Sequence, residues 1–389
     1  MKIALVSPYD FEHPGGVVNH IRSLAEEFAR LGHDVRIIAP VSRHKSKKTD
    51  HFIPIGHPRP IPSSGSVSRI SLSLHLAPTI KEVLKREKFD IIHLHEPFMP
   101  MLCSAMLRFS DGNNIGTFHA FDSKPGYGFG RPFTTFLLKR RNLKLKGRIA
   151  VSPPAAKYAA KHVSGEFTII PNGVDLRRFH PDLEPIAKYR DGKLNILFVG
   201  RMEPRKGLVY LIKAYRRLKS AHPNTRLLIV GPGVWFRRKY ELQIKLAGLK
   251  DVVFLGPVSF KDLPRYYATA DIFCAPATGR ESFGMILLEA MAVGKPVVAS
   301  NIEGYASVVT DGREGILVPP KNTAALANAL CRCIEDKDLR RRMAEQGLIT
   351  VCQYDWPIIA RRILDYYGQV TGAANTSAGT REYPVSIPL

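Results

Sequence analysis

The sequence predicts an α/β protein built from two doubly wound, Rossmann-like domains facing a central cleft. Three observations carry that prediction. The chain has 389 residues, about twice a usual single domain. An apolar strand, a loop and an amphipathic helix alternate through most of its length, the pattern of a parallel sheet with helices on both faces. A Pro/Asn/Gly turn cluster, Ile170-Pro171-Asn172-Gly173-Val174-Asp175, divides that alternation into two series.

In the first series strands read at Lys2–Pro8, Asp34–Pro40, Asp90–His95, Ile115–His119, Ile149–Ser152 and Phe167–Pro171, with helices notably at Val17–Leu31 and His75–Glu87. In the second, strands read at Asn195–Gly200, Arg226–Gly231, Val252–Gly256, Asp271–Pro276, Pro296–Ser300 and Gly315–Val318. Its helices read at Leu208–Ser220, Arg237–Leu249, Phe260–Thr269 and Gly284–Val293, then Thr323–Glu335, Asp338–Val351 and about Pro357 to Val370. The expected division is a first domain over 1–171, a linker over 172–192 and a second domain over 193–356. A helix over 357–371 is expected to cross back to the first domain, and a small, polar, proline-bearing tail over 372–389 to be flexible.

Composition narrows the class. At 45% hydrophobic and 23% charged the chain is an ordinary globular protein. It lacks a run of 18 apolar residues, so no segment reads as a membrane span, and its start, MKIALVSPYDF, reads as a strand rather than a signal peptide. Cys103, Cys274, Cys331, Cys333 and Cys352 show no CxxC spacing, so neither a disulfide framework nor a zinc site is expected, and a reducing cytosol fits. The net charge of +23 points to an anionic partner.

In sheets of this kind ligands bind beyond the carboxyl ends of the strands, and the motifs fall there. Thr278–Ser300 runs from a polar loop through a helix into a strand and carries Glu281 and Glu289. Eight steps of about 100° would leave them about 80° apart on one helix, so Glu281 is expected in the loop and Glu289 in the helix. The N–H groups of Phe283 and Gly284 lie between, at a helix start that attracts phosphate. These could hold a sugar nucleotide, or be a helix-end charge and an exposed carboxylate. Gly200-Arg201-Met202-Glu203-Pro204-Arg205-Lys206-Gly207 sets three cations after a strand, a suitable group for a diphosphate or a solvated loop. Pro14-Gly15-Gly16-Val17 opens the first helix but is not a dinucleotide fingerprint. His119, in Thr117-Phe118-His119-Ala120, ends a strand aimed at the expected cleft.

Basic residues also gather outside these loops. Phe121–Ala150 holds eight, among them Arg140 and Arg141, interleaved with phenylalanines and leucines. Arg43–Lys48 forms a basic loop, and Lys81 and Lys85 mark a basic helix end. Such patches read as an anionic membrane surface or as solvated faces of packed helices. No nucleic-acid-binding signature accompanies them, so no nucleic-acid partner is expected.

Taken in order along nearly the whole chain, the E-x7-E of Glu281 and Glu289, Gly200-Arg201 with Arg205-Lys206, the Pro171–Asp175 linker and Gly15-Gly16 resemble GT-B fold glycosyltransferases of the family-4 retaining type. His93-Leu94-His95-Glu96-Pro97, Gly147–Ser152, Cys274-Ala275-Pro276 and Tyr354-Asp355-Trp356 resemble the bacterial phosphatidylinositol mannosyltransferases that use GDP-mannose. The resemblance implies that Arg201 and Lys206, with Arg205, bind the donor diphosphate. It implies that Glu289 holds the ribose, Glu281 contacts the transferred hexose, Gly16 approaches the β-phosphate and His119 lines the sugar pocket. Val258, Phe283 and Gly284 complete the implied donor site. Tyr9, Ser66, Arg69 and Lys124 match implied acceptor positions, whereas Val18, Phe98 and Ala120 stand where polar acceptor contacts are expected. The acceptor is thus an inositol phospholipid, another phospholipid or a polyprenyl-linked glycan. The resemblance further implies a cytoplasmic protein peripherally attached to the inner face of the cell membrane.

With no clear DxD motif, the cationic loop is expected to serve in place of a metal, and neither a structural metal nor a tightly bound cofactor is expected. Same-face attack assisted by the leaving phosphate is the expected route. A sugar-nucleotide epimerase, a phosphorylase or a non-enzymatic nucleotide or nucleic-acid binder could share the architecture.

Overall fold

A computed structural model of the chain describes residues 1–13, 15–42, 50–63, 66–71, 73, 75–121 and 138–372, the side chains at 62, 63, 66–68, 234 and 235 apart. Lys124, the Ser66 side chain, the basic loop Arg43–Lys48, most of the aromatic basic segment and the tail past Gly372 lie outside that description. The chain forms two compact units, one of Met1–Gly173 with Trp356–Leu389, the other of Val174–Asp355.

The first unit runs β1 (Lys2–Val6), α1 (Gly16–Arg30), β2 (Asp34–Ala39), β3 (Phe52–Pro54), β4 (Pro58–Ser63), β5 (Ser66–Ser71), α2 (Ala77–Glu87), β6 (Ile91–His95), α3 (Leu102–Phe109), β7 (Asn113–Phe118), β8 (Leu145–Ala150), α4 (Pro153–Ala160) and β9 (Thr168–Ile169). The second runs β10 (Leu194–Val199), α5 (Leu208–Ala221), β11 (Thr225–Val230), α6 (Val234–Leu246), β12 (Val252–Gly256), α7 (Leu263–Thr269), β13 (Ile272–Ala275), α8 (Met285–Ala292), β14 (Val297–Ser300), α9 (Glu303–Ala306), β15 (Gly315–Val318), α10 (Thr323–Glu335) and α11 (Lys337–Val351). Helix α12 (Trp356–Thr371) then belongs to the first unit again.

Both large sheets are parallel. Their orders are β3-β2-β1-β6-β7-β8-β9 and β12-β11-β10-β13-β14-β15. The order reverses between β1 and β6 in the first sheet and between β10 and β13 in the second. Loops leaving these strand pairs flank the crevice where such sheets take ligands. Strands β1, β10 and β13 read as near-continuous apolar runs because helices cover both faces. In the first unit, Ile359, Ala360, Ile363 and Tyr367 of α12 share a buried cluster with Ile21, Leu24 and Phe28 of α1. Each fully buried Leu, Ile or Phe there contributes about 1.5–3 kcal/mol. In the second unit Leu211, Tyr215 and Leu218 of α5 pack on Ile196, Phe198 and Leu227 of its sheet.

Two local differences from the sequence reading have physical causes. The antiparallel hairpin β4–β5 was hidden by Pro58, Pro60 and Pro62, which pair with Ser71, Arg69 and Val67. A two-stranded ribbon tolerates prolines that a central strand would not. Strand β8 begins at Leu145, four residues before the expected start, because Lys146 and Arg148 mask its alternation. Arg148 is held by Asn142 at 2.9 Å and Lys144 by the carbonyls of Arg108 and Ser110 at 2.7 and 2.9 Å, so these three members of the basic run lie on or beside a strand of the sheet.

Candidate active site

In the second unit the loops after β10 and β13 are locked together. Thr278 donates its backbone N–H to the carbonyl of Arg205 at 2.8 Å. A Cβ on Gly207, whose φ is +74°, would lie 1.8 Å from the carbonyl oxygen of Pro276, so only glycine lets the loops close. The strand ends thereby deliver Arg201, Arg205, Lys206 and Glu281 to one place.

There they form a single ion-pair network. Glu281 Oε1 accepts from Arg205 at 2.6 Å and Lys206 at 2.8 Å. Glu203 accepts from Arg201 and Arg205, each at 3.0 Å. Three cations meet two carboxylates, leaving one positive charge in surplus. Arg201 is the most open, its side chain 46% exposed against 14% for Lys206. Glu203, buried between two guanidiniums, has a positioning role that the sequence reading missed; its place inside the cationic loop was the available signal.

Glu281 lies in the loop and Glu289 within α8, as the spacing required. Gly304 approaches the Glu281 carbonyl so closely that a Cβ would stand 2.0 Å from its oxygen. Phe283 is buried and Gly284 precedes the first turn of α8. Glu289 is half-buried and accepts from the phenol of Tyr267 at 2.6 Å. Burial pushes its carboxyl above the usual range, while Tyr267 and the Arg178 charge act against that. Arg178 lies over the rings of Phe179 and Phe260. Tyr267 and Arg178 were also missed, because their contacts join residues far apart in sequence. Val258 is half-buried in the loop between β12 and α7.

In the first unit His119 follows the carboxyl end of β7 and sits in a cluster of neutral imidazoles. His95, at the end of β6, meets it through Nδ1 at 3.0 Å from His119 Nε2. His20 of α1 binds the Asn172 amide oxygen through Nδ1 at 2.8 Å. His93 is fixed by Thr117 and Tyr367, each at 2.6 Å, and stacks on His95 at 4.4 Å. Burial pushes every one of these imidazoles down, to about 4 for His20 and about 3 for His93, and well below the usual value for His95 and His119. His20, His95 and His119 each bring one ring nitrogen within 4.8 Å of the others. Glu96 accepts the backbone N–H groups of His119 and Ala120, both at 2.7 Å, from a residue held at φ +56°. It thus sets the course of the chain where β7 ends.

The remaining residues fall in separate places. Gly16 is exposed at the first turn of α1. Tyr9 bridges to Ile70, beside Arg69 on β5, and its phenol is pushed up by burial and by Glu96. Val18 and Phe98 are buried in the two cores of the first unit, Phe98 against Phe118, so their apolar character serves packing. Lys81, Lys85 and Arg140 are exposed, whereas Arg141 is half-buried and hydrogen-bonded to Ser104. No helix among the described residues is long and apolar enough to cross a membrane.

The match to known proteins fits this arrangement. Residues 14–178 match the family model Glycosyltransferase Family 4 and residues 182–348 match Glycosyl transferases group 1. A phosphatidyl-myo-inositol mannosyltransferase of Mycobacterium tuberculosis is 37% identical over 380 residues, 96% of this chain and 98% of that protein. The chain belongs to glycosyltransferase family 4. A phosphatidyl-myo-inositol mannosyltransferase of Propionibacterium freudenreichii is 33% identical to this glycosyltransferase over 392 residues, 98% of each. Among solved structures, the sucrose-phosphate synthase of Thermosynechococcus elongatus superposes with a TM-score of 0.76 at 24% identity, over 96% of this glycosyltransferase and 100% of that chain. The fold is GT-B, and the family implies a nucleotide-sugar donor.

Proposed function

We propose that this glycosyltransferase moves a mannosyl group from GDP-mannose to a hydroxyl of a phosphatidylinositol-type lipid at the inner membrane surface, with retention at the anomeric carbon. The observation that carries the reading is the ion-pair network after β10 and β13, taken with relatives of the phosphatidyl-myo-inositol mannosyltransferase name that align over nearly the full chain. A departing diphosphate develops negative charge. Arg201, Arg205 and Lys206 are cations already oriented by Glu203 and Glu281, so little reorganisation is needed when that charge appears. Glu289 serves the ribose, Val258, Phe283 and Gly284 the rest of the nucleotide, and Gly16 the β-phosphate. Glu281 and His119 serve the hexose. Tyr9, Ser66, Arg69 and Lys124 serve the acceptor head group, and Lys81, Lys85, Arg140 and Arg141 the anionic surface.

A second reading keeps the reaction and changes the acceptor. The buried Val18 and Phe98 supply no polar contact to an inositol ring, which favours another glycolipid or lipid-linked glycan. Incubating the chain with GDP-mannose, UDP-glucose or ADP-glucose and vesicles with or without phosphatidylinositol separates the readings. Mannolipid of α configuration, formed only with GDP-mannose and phosphatidylinositol, is the expected product. Donor hydrolysis without mannolipid would transfer support to the second reading, and no release of nucleotide from any donor would remove both.

A further inference from the structure

The imidazole cluster contains a proton-placement problem that its geometry solves. His95 Nδ1 and His119 Nε2 are 3.0 Å apart, with ring centroids 5.3 Å apart and planes 30° from parallel. The rings therefore meet edge to edge, and one proton lies between the two nitrogens. Two arrangements are available. Either His95 donates from Nδ1 to His119, or His119 donates from Nε2 to His95.

The far nitrogens decide between them. His95 Nε2 and His20 Nε2 are buried, and neither has a hydrogen-bond partner among the described residues. If His119 were the donor, neutral His95 would carry its own proton on Nε2, leaving an N–H orphaned in the interior. If His95 is the donor, its Nε2 is a bare acceptor. Orphaned buried N–H groups are rarer than under-used acceptors. His20 follows the same logic, because the Asn172 oxygen can only accept and so holds the proton of His20 on Nδ1. His119 is 9% exposed, whereas His20, His93 and His95 are exposed by 1% or less.

We infer that His95 is a positioning residue that fixes His119 in its Nδ1–H tautomer, so that His119 offers the transferred sugar a hydrogen-bond donor and not a base. The sugar's role here rests on the proposed function; the tautomer does not. With its Nε2 occupied by His95, His119 can bind a sugar hydroxyl or ring oxygen through Nδ1–H, and it has no free ring nitrogen to take the acceptor's proton. His93 supports the arrangement by stacking on His95, itself tied at both nitrogens.

Long-range proton–nitrogen spectra of the full-length, nitrogen-15-labelled protein at neutral pH test this directly, with His119 assigned by loss of its signals in His119→Asn. The expected spectrum shows a protonated Nδ1 and an acceptor-type Nε2 for His119. Replacing His95 by Phe keeps a flat ring over His93 and removes the donor, and should move His119 towards the Nε2–H tautomer. His95→Asn, whose amide can donate from the Nδ1 position, should restore the original pattern. In a transferase assay His95→Phe should lower kcat about tenfold with the donor KM unchanged, and His95→Asn should recover most of it. An Nε2–H or doubly protonated His119 in the wild-type protein would overturn the inference. So would a stoichiometric transition metal, found by elemental analysis and released by His20→Asn, because the bare nitrogens would then be ligands. Equal falls in kcat for both His95 variants would show a packing role alone. If no nucleotide sugar is turned over, the proposed function fails while the spectrum still decides the tautomer.

Discussion

The two units place opposite kinds of polarity at the carboxyl ends of their central strands. Beside β10 and β13, the second unit sets five charged side chains in one half-open network. Beside β6 and β7, the first unit buries four imidazoles, every one of them held neutral. The difference follows from what each unit can stabilise. Cations paired to carboxylates keep their charge at modest cost and stand ready for an anion. Imidazoles packed against one another and against Trp356 stay neutral at neutral pH, and so act as fixed hydrogen-bonding groups.

Acidification strikes the neutral side hardest. The folded-state values of His20 and His93 lie near 4 and 3, below the unfolded value of 6.5. Between those limits the unfolded chain binds more protons, so their contribution is full above pH 6.5 and is lost as pH falls towards 4. Each imidazole costs about 1.4 kcal/mol per pH unit in that window, and two together reach several kcal/mol, comparable to the whole stability of a domain. Urea unfolding of the Trp235→Phe variant, followed by the fluorescence of Trp356 beside His20, should show that slope. His20→Asn should remove one proton from it. A flat profile from pH 7 to 5 would mean that the cluster ionises freely and that the contrast between the units is false.

The charged side is tested by removing its cations. Lys206→Ala or Arg201→Ala should lower kcat about 10²-fold, the size expected when one preorganised charge is withdrawn from a leaving group. Near-normal turnover in both would end the diphosphate assignment. Glu203→Gln is predicted to cost about tenfold in kcat/KM, because the shape remains while the charge that aims Arg201 and Arg205 is gone. An unchanged KM with reduced kcat would locate the loss in the transition state.

How legible each side was in the sequence differs for the same reason. The charged loop announced itself: Arg201, Arg205 and Lys206 lie within one short loop that follows an apolar strand and precedes a helix. Glu281 and Glu289 could be assigned to loop and helix from an angle alone. Glu203 carries no such local signal, since an isolated acid between bases reads as solvation until both guanidiniums are seen on it. The imidazole cluster was hidden. His20, His93, His95 and His119 come from a helix and two strands, and only the β1-β6-β7 order brings them together. His119 ends a strand, and His95 and Asn172 lie in recognisable motifs, yet nothing local pairs His95 with His119 or Asn172 with His20, 152 positions away. Most strands and helices of both sheets could be read because their periodicity is local. The β4–β5 hairpin could not, because its prolines argue against a strand everywhere except in such a ribbon.

The smallest effect concerns the basic surface of the first unit, where a packed cation can be mistaken for a free one. Arg140 is exposed on the same turn as Arg141, which is half-buried, bonded to Ser104, and pulled below the usual guanidinium range by burial and by Arg108. If the exposed cations meet an anionic bilayer, Arg140→Ala should weaken partition onto phosphatidylglycerol vesicles about fivefold at low salt, about 1 kcal/mol for one surface charge, with donor hydrolysis unaltered. Arg141→Ala should instead lower the melting temperature, since its main partner is inside the protein. Equal partition losses from the two variants would place both side chains at the membrane and would erase the distinction between the packed and the exposed cation on this surface.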